Sequence, residues 1–168
     1  MNTATVDQSP SVAPVFPATF GLVLGGVGLA LAELGFAMAY WAMQQVPLIR
    51  IPQSIAAWVL GNHAFAGGWS SALLGTALYA LLMVGVVLAY RLASQRYRLL
   101  LRRPLTCGAV YGVLAYLLVF QIVVPHFTAA TVRPITLDWL LACVAAYIVL
   151  IGIPCAKLAQ WADHRSRR

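Results

Sequence analysis

Charged residues are scarce in this sequence. Asp, Glu, Lys and Arg make up 9% of the 168 residues, against about 25% in an ordinary soluble domain. Acidic residues are the rarest, with four in the chain, whereas hydrophobic residues reach 62%. A soluble fold has too little interior for that much apolar surface. The composition therefore excludes an ordinary soluble domain and predicts a protein embedded in a membrane.

Cysteine and histidine are also rare, with three of each. No CxxC spacing pairs the cysteines, so Cys107, Cys143 and Cys155 are expected to be small buried hydrophobic residues. The histidines stand alone, without the spacing that zinc or haem ligation needs. No serine lies in a recognisable nucleophile elbow. The sequence thus predicts no catalytic residue, no metal and no cofactor, and it favours a protein that is not an enzyme.

Long hydrophobic runs are what the chain does have. Crossing about 30 Å of hydrocarbon takes about 20 helical residues, and no alternating pattern of a β-barrel strand is present. We predict an all-α membrane protein, a four-transmembrane-helix bundle over residues 18–158, with a short interfacial helix in its first outer loop. The predicted spans are 18–43, 70–92, 106–124 and 137–158. Residues 1–17 are predicted to be a disordered cytoplasmic tail and residues 159–168 a basic cytoplasmic tail.

The net charge of +7 is distributed unevenly. Arg50 and Arg133 lie in the first and third loops, and the other basic residues lie in the second loop or near the C-terminus. This asymmetry marks a cytoplasmic face and places both termini in the cytoplasm. Such clusters attract anionic phospholipids, so the bilayer, and not nucleic acid, is the expected partner. The charges expected to face the lipid are Arg96, Arg98, Arg102 and Arg103.

Small residues recur at helical spacing within the apolar runs, and small residues let helices approach closely in lipid. In the first span this predicted packing stripe consists of Gly21, Gly25, Gly28, Ala32, Gly35 and Ala39. The expected lipid-facing side consists of Val23, Leu24, Val27, Leu31, Leu34 and Met38. In the third span, Gly108 and Gly112 form a GxxxG pattern. The pattern predicts tight packing and leaves open a homo-oligomer or a membrane-protein partner.

Glu33 is the one acidic residue inside the first apolar run. A charge at mid-membrane costs about 2.5–3.5 kcal/mol on insertion scales, so Glu33 should face the bundle or a water-filled cleft. With Tyr40 and Gln121 it forms the candidate intramembrane polar site. Two interpretations stay open: a protonated carboxyl that hydrogen-bonds a tyrosine or a carbonyl group, or a functional proton site.

The stretch RIPQSIAAWVLGNHAFAGG separates the first two long runs. Pro52 and Gly61 suit the two ends of a helix over 52–60, which at ~14 Å is too short to cross the membrane. An interfacial helix is predicted, and a re-entrant loop that places His63 in a pore is the alternative. A candidate outer pocket consists of Arg50, His63, His126 and Arg133.

Three segments carry one resemblance: LIRIPQSIAAWVLGNHAFAGG, SSALLGTALYALL and RRPLTCGAVYGVLAYLLVFQIVVP. They resemble small bacterial inner-membrane proteins that are defined by a domain of unknown function and loosely labelled YagU-like. The resemblance covers about Gly21 to Lys157. It implies a multi-pass protein of the bacterial inner membrane and no particular activity.

A second resemblance is limited to the first helix, LVLGGVGLALAELG. This helix is similar to the first helix of small multidrug-resistance transporters, in which a membrane-embedded glutamate exchanges protons for cationic drugs. The resemblance implies that role for Glu33. The leading hypothesis remains a non-enzymatic packing, assembly or partner-supporting module, and a proton-coupled transporter is the alternative. A membrane enzyme would need His63 or His126 within hydrogen-bond reach of Glu33 or Asp138.

Overall fold

The computed structural model describes residues 18–124 and 136–166. Those residues form seven α-helices, α1 to α7 in chain order, together with one 3₁₀ segment and two π-helical segments. The α-helices are α1 Ala18–Ala42, α2 Arg50–Leu60, α3 Gly68–Arg96, α4 Leu99–Arg102, α5 Pro104–Leu117, α6 Leu137–Ala146 and α7 Ile153–Ser166. A 3₁₀ segment, Gly61–Ala66, precedes α3, and π-helical segments Leu118–Val123 and Tyr147–Gly152 follow α5 and α6.

Four of these helical stretches are long and apolar enough to cross a membrane, which confirms the predicted fold class. They are Thr19–Ala42, Gly68–Arg96, Pro104–Ile122 and Leu137–Arg165, and they are called the first to fourth spans below. The second span is longer than the predicted 70–92. The fourth continues as helix through residues expected to form a tail, because α7 runs to Ser166.

Contacts at the two ends of the bundle fix how the spans alternate. At one end, a Cβ atom on Gly21 would collide with the Trp161 ring, and Arg91 Nη1 lies 3.7 Å from Asp163 Oδ1. We call this the basic end. At the other end, the Tyr40 and Trp41 rings lie 4.6 Å and 5.1 Å from the Trp139 ring, and we call it the aromatic end. The start of the first span and the end of the fourth therefore lie at the same end.

The third and fourth spans make close backbone contact through the GxxxG pattern. A Cβ atom on Gly108 would lie 2.8 Å from the Gly152 carbonyl oxygen, and one on Gly112 would lie 2.5 Å from that of Tyr147. Only glycine permits this approach, as expected where packing replaces hydrophobic drive in lipid. Gly108 and Gly112 thus pack the third span against the fourth span of the same chain.

The small residues of the first span divide into two groups. Gly21 and Gly25 lie against Trp161 and Leu158 of the fourth span. Gly28 lies differently, because its side is exposed and none of the described atoms comes within 4 Å of a Cβ placed there. The same side of the helix is exposed at Ala32, Gly35 and Ala39. Within one copy of the chain, the stripe therefore packs at the basic end and is uncovered towards the aromatic end.

One residue of the first span does not lie where the sequence predicts. Leu34, expected on the lipid side, is 6% exposed, because its face of α1 turns into the core.

The sequence predicts a kink of the fourth span at Pro154, since proline removes an N–H and clashes with the carbonyl four residues earlier. The structure places the π-helical segment Tyr147–Gly152 just before it, which supplies an irregular turn at that point.

The short helix α2 packs against the aromatic-end part of the second span. A Cβ atom on Gly75 would collide with the Pro52 carbonyl oxygen, so the two backbones cross in direct contact. Gln53 Nε2 donates to the Gly68 carbonyl at 3.0 Å, and Ser71 Oγ donates to the Ala64 carbonyl at 2.6 Å. Packing and the Gln53 hydrogen bond hold α2 across the end of the second span, and the Ser71 hydrogen bond holds the 3₁₀ segment that follows it.

Candidate functional site

The site forms around Glu33, whose side chain is 5% exposed within the bundle. The Tyr79 hydroxyl, from the second span, donates a hydrogen bond to Glu33 Oε2. Ala30 and Ala37, one turn away on either side of Glu33, are also buried, so this face of α1 meets the neighbouring helices. The predicted inward orientation of Glu33 thus has a physical basis, since a carboxyl group in an apolar medium must find a polar partner.

The fourth span supplies a second hydroxyl. Tyr147 is fully buried, and its hydroxyl oxygen lies 3.3 Å from that of Tyr79. Its ring contacts Tyr116 and Phe120 of the third span at centroid distances of 5.7 Å and 5.9 Å. One carboxyl and two hydroxyl groups from three different spans therefore make a continuous polar row in the interior. We call Glu33, Tyr79 and Tyr147 the buried triad.

The electrostatic surroundings of the buried triad are hydroxyl dipoles, not cations. In residues 18–124 and 136–166 the ion pair within 4.0 Å is Arg91–Asp163, at the basic end and away from Glu33. A charged carboxylate placed in this interior would have only the tyrosine hydroxyls to stabilise it, which is a costly situation. The Glu33 carboxyl group can therefore exchange a proton or make hydrogen bonds. A cation bound beside it would strongly change its electrostatic surroundings.

The other two members of the predicted intramembrane site lie elsewhere. Tyr40 packs its ring against Trp139 at the aromatic end, so the tyrosine that partners Glu33 is Tyr79 instead. Gln121 is exposed on the π-helical segment Leu118–Val123 of the third span, although a hydrogen bond across the bundle was expected of it.

The predicted outer pocket is described only in its first half. The Arg50 guanidinium lies over the Phe65 ring, 5.2 Å from its centroid, and the His63 side chain is exposed in the 3₁₀ segment. His126 and Arg133 lie outside the described residues. Within those residues no hydrogen bond joins His63 to Glu33 or Asp138, and both His63 and Asp138 are exposed whereas Glu33 is buried.

At the basic end a polar cleft of about 330 Å³ opens between the second loop and the end of the fourth span. Arg98, Arg102 and His164 contribute basic side chains, and Asp163 and Gln160 contribute polar ones. Gln160 Nε2 donates to the Leu101 carbonyl at 2.5 Å, which fixes α4 against α7. Arg96 and Arg103 are exposed beside it, so the expected lipid-facing charges all lie at this end.

Sequence reasoning missed Tyr79 and Tyr147, and depth along the helices could have found them. Tyr79 lies eleven residues after Gly68 and Tyr147 ten after Leu137, each ~15–17 Å from the aromatic end. Glu33 lies nine residues before Ala42, ~14 Å from that end. Polar groups at equal depth in neighbouring spans are candidates for contact, a signal that periodicity within one helix does not contain.

Comparisons with known proteins add no assignment. No family model, curated protein or solved structure matches the chain. In the described residues, no group of three or more His, Cys, Asp or Glu side chains is placed to hold a metal ion. The two resemblances stated from the sequence therefore stay predictions.

Proposed function

We propose that this protein is a non-enzymatic integral membrane protein that assembles, with further copies of itself or with another membrane protein, through the exposed side of the first span. The observation that carries the proposal is the uncovered small-residue surface of Gly28, Ala32, Gly35 and Ala39. We call it the exposed stripe. None of the described atoms lies within 4 Å of a Cβ placed on Gly28 or Gly35.

The exposed stripe is unusual for a surface in contact with lipid alone. Lipid tails pack well against large aliphatic side chains, such as Leu24 and Leu31 nearby, which are 56% and 54% exposed. A flat surface of glycine and alanine instead allows another helix to approach closely and gain van der Waals contact. The same device is used inside the chain at Gly108 and Gly112, which supports its use between chains.

The proposal extends to location. The basic side chains gather at the end of the bundle that carries the start of the first span, and the Trp41 and Trp139 rings meet at the opposite end. The distribution of basic residues supports a bacterial inner membrane with the basic end in the cytoplasm, and the aromatic rings suit its outer boundary. The YagU-like resemblance is in agreement with that location.

Cysteine crosslinking in native membranes tests the proposed assembly. Ala32→Cys and Ala39→Cys place thiols on the exposed stripe, and Leu114→Cys places one on an exposed side of the third span. We expect crosslinked adducts from the first two and markedly fewer from Leu114→Cys. Adding Gly35→Leu should abolish the adducts without unfolding the chain, since that position has open space. A protomer that remains solitary at both stripe positions would contradict the proposal.

The buried triad favours a second candidate function, proton-coupled transport. A carboxyl group buried among hydroxyl groups of three spans can release a proton only if the surroundings change, as when a cation arrives or the bundle opens. Coupling of that kind is what an exchanger requires. The similarity of the first helix to small multidrug-resistance transporters points in the same direction.

This second candidate is tested in sealed vesicles with an imposed proton gradient. The parent protein and Glu33→Gln are compared for the uptake of cationic dyes. Gln keeps the acceptor oxygen but cannot exchange a proton, so we expect dye flux to fall to the level of empty vesicles. Equal flux in the two proteins would remove the transport hypothesis, and it would leave the assembly proposal untouched.

A further inference from the structure

Beyond assembly and transport, we propose that the basic-end part of the bundle holds one anionic phospholipid in a defined groove between the first and fourth spans. The groove has a volume of about 780 Å³. Its lining is almost entirely apolar, from Leu24, Val149, Ile153, Leu158 and Trp161, and Lys157, one turn before Trp161, supplies its charge. We call it the lipid groove.

Glycine residues create the lipid groove. Because Gly21 has no side chain, the Trp161 ring lies directly against the backbone of the first span, in space that a Cβ atom would need. Gly25 does the same for Leu158, whose side chain would lie 2.6 Å from a Cβ atom there. The two spans therefore touch through the floor of the groove, while Leu24 and Val149, both more than half exposed, rise at its sides.

The dimensions of the lipid groove fit one acyl chain of a single leaflet. Val149 and Lys157 are eight residues apart, ~12 Å along a helix, close to the ~15 Å that one leaflet contributes to the hydrocarbon. Lys157 lies 20 residues after Leu137, so it is ~30 Å along the fourth span and reaches the opposite boundary of the hydrocarbon. That boundary is the level at which a lipid phosphate lies.

The charge at the mouth of the groove selects an anion. Lys157 is exposed, and no ion pair of Lys157 occurs within the described parts of the chain. The Arg165 guanidinium lies over the Trp161 ring, 4.7 Å from its centroid, which holds a second positive charge beside the same mouth. A phosphate with a neutral glycerol headgroup carries net negative charge to both, whereas a choline headgroup brings its own cation.

A second copy of the chain fits this surface less well than a lipid. It would bring Lys157 into an interface, where a buried cation needs an acidic partner. Of the acidic side chains in the described residues, Glu33 is buried inside the bundle, Asp163 is paired with Arg91, and Asp138 lies at the aromatic end. The exposed stripe lies nearer the aromatic end, so occupation of the lipid groove does not depend on the proposed assembly.

Quenching of a tryptophan introduced in the groove by Val149→Trp tests the proposal, because bromine on an acyl chain quenches tryptophan at contact and Val149 lies ~12 Å further into the hydrocarbon than Lys157. The full chain is reconstituted in bilayers of unlabelled phosphatidylcholine that contain increasing fractions of brominated phosphatidylglycerol or brominated phosphatidylcholine. The contribution of the introduced tryptophan is the difference between Val149→Trp and the parent. We expect half-maximal quenching at a lower mole fraction of the anionic lipid than of the zwitterionic one.

Variants separate a defined site from general attraction to a charged surface. Lys157→Gln should raise the mole fraction of phosphatidylglycerol needed by roughly fivefold, the factor given by ~1 kcal/mol per basic residue at an anionic surface. Lys157→Arg should keep the preference, which excludes a folding defect as the cause. Arg96→Gln, an exposed charge at the same end but outside the groove, should leave it unchanged.

Three outcomes would overturn the lipid site. Equal quenching by the two brominated lipids would show an unselective annulus. Equal losses in Lys157→Gln and Arg96→Gln would show attraction to the surface alone. Absence of quenching by either lipid, together with crosslinking between copies through Val149→Cys on the fourth span, would show that a second copy covers the groove.

Discussion

The Tyr79 hydroxyl donates to the Glu33 carboxyl group across the contact between the first and second spans, 46 residues apart in sequence. Glu33 is the one acidic residue in the sequence of these two spans. The hydrogen bond also brings Tyr79 beside Tyr147, so that three spans converge on one polar point. In lipid, helices associate by close packing and by hydrogen bonds between spans, so this polar contact adds to the glycine crossings in fixing which residues face each other.

Removing the donor tests that contact. We expect Tyr79→Phe to lower the free energy of unfolding by about 0.6 to 2 kcal/mol, the range for hydrogen bonds between transmembrane helices. Unfolding would be followed by detergent titration or steric trapping in bicelles. Tyr97→Phe is the matched control, because Tyr97 is 63% exposed and lies after the second span. Equal losses of unfolding free energy in the two variants would show that the Tyr79 hydrogen bond adds no specific stability.

Changing the acceptor separates hydrogen bonding from charge. Glu33→Gln retains a carbonyl oxygen for the Tyr79 hydroxyl, so we expect the free energy of unfolding to change by less than about 1 kcal/mol. Glu33→Leu has no acceptor and should cost about 1–3 kcal/mol, since the Tyr79 hydroxyl loses a buried partner. The two variants are compared in the same unfolding assay. If Gln were as damaging as Leu, the stability would depend on the carboxyl group itself, through its charge or its proton.

The fold class follows from composition and run length, and the structure confirms it. Which side of a span faces lipid and which side faces a neighbouring helix does not follow so directly. Helical periodicity assigns Leu34 to the lipid, and the structure buries it. Periodicity shows which residues share a side, but which side meets a neighbour depends on the order of the helices around the bundle. Nothing in one span specifies that order.

The candidate site could be predicted for one residue of three. Glu33 stands out because an acidic residue in an apolar run is costly. Tyr40 is the companion that the sequence suggests, since it lies two turns along the same helix, whereas the structure supplies Tyr79 from another span. Register between spans arises from backbone crossings at Gly26, against Val84 of the second span, and at Gly112, and a crossing needs the partner as well as the glycine.

The crossing at Gly112 gives a prediction about packing. A Cβ atom there would lie 2.5 Å from the Tyr147 carbonyl oxygen, and the backbone cannot move aside as a flexible side chain would. We expect Gly112→Ala to cost about 1–3 kcal/mol of unfolding free energy by separating the third and fourth spans. Gly85→Ala is the matched control, because none of the described atoms lies within 4 Å of its Cβ position. Similar losses at both glycines would mean that helix propensity, and not contact, decides the outcome.

The orientation of the bundle gives a last prediction, and it needs single thiols in a chain whose cysteines have been replaced by serine or alanine. Gln95→Cys lies at the basic end and Asn62→Cys in the 3₁₀ segment before the second span, and both positions are exposed. Because basic loops are retained in the cytoplasm, a membrane-impermeant maleimide should label Asn62→Cys in intact cells. It should label Gln95→Cys only after the membrane is opened. The reverse pattern would place the arginine-rich loop outside, and the lipid groove would then open to the outer leaflet instead of the inner one.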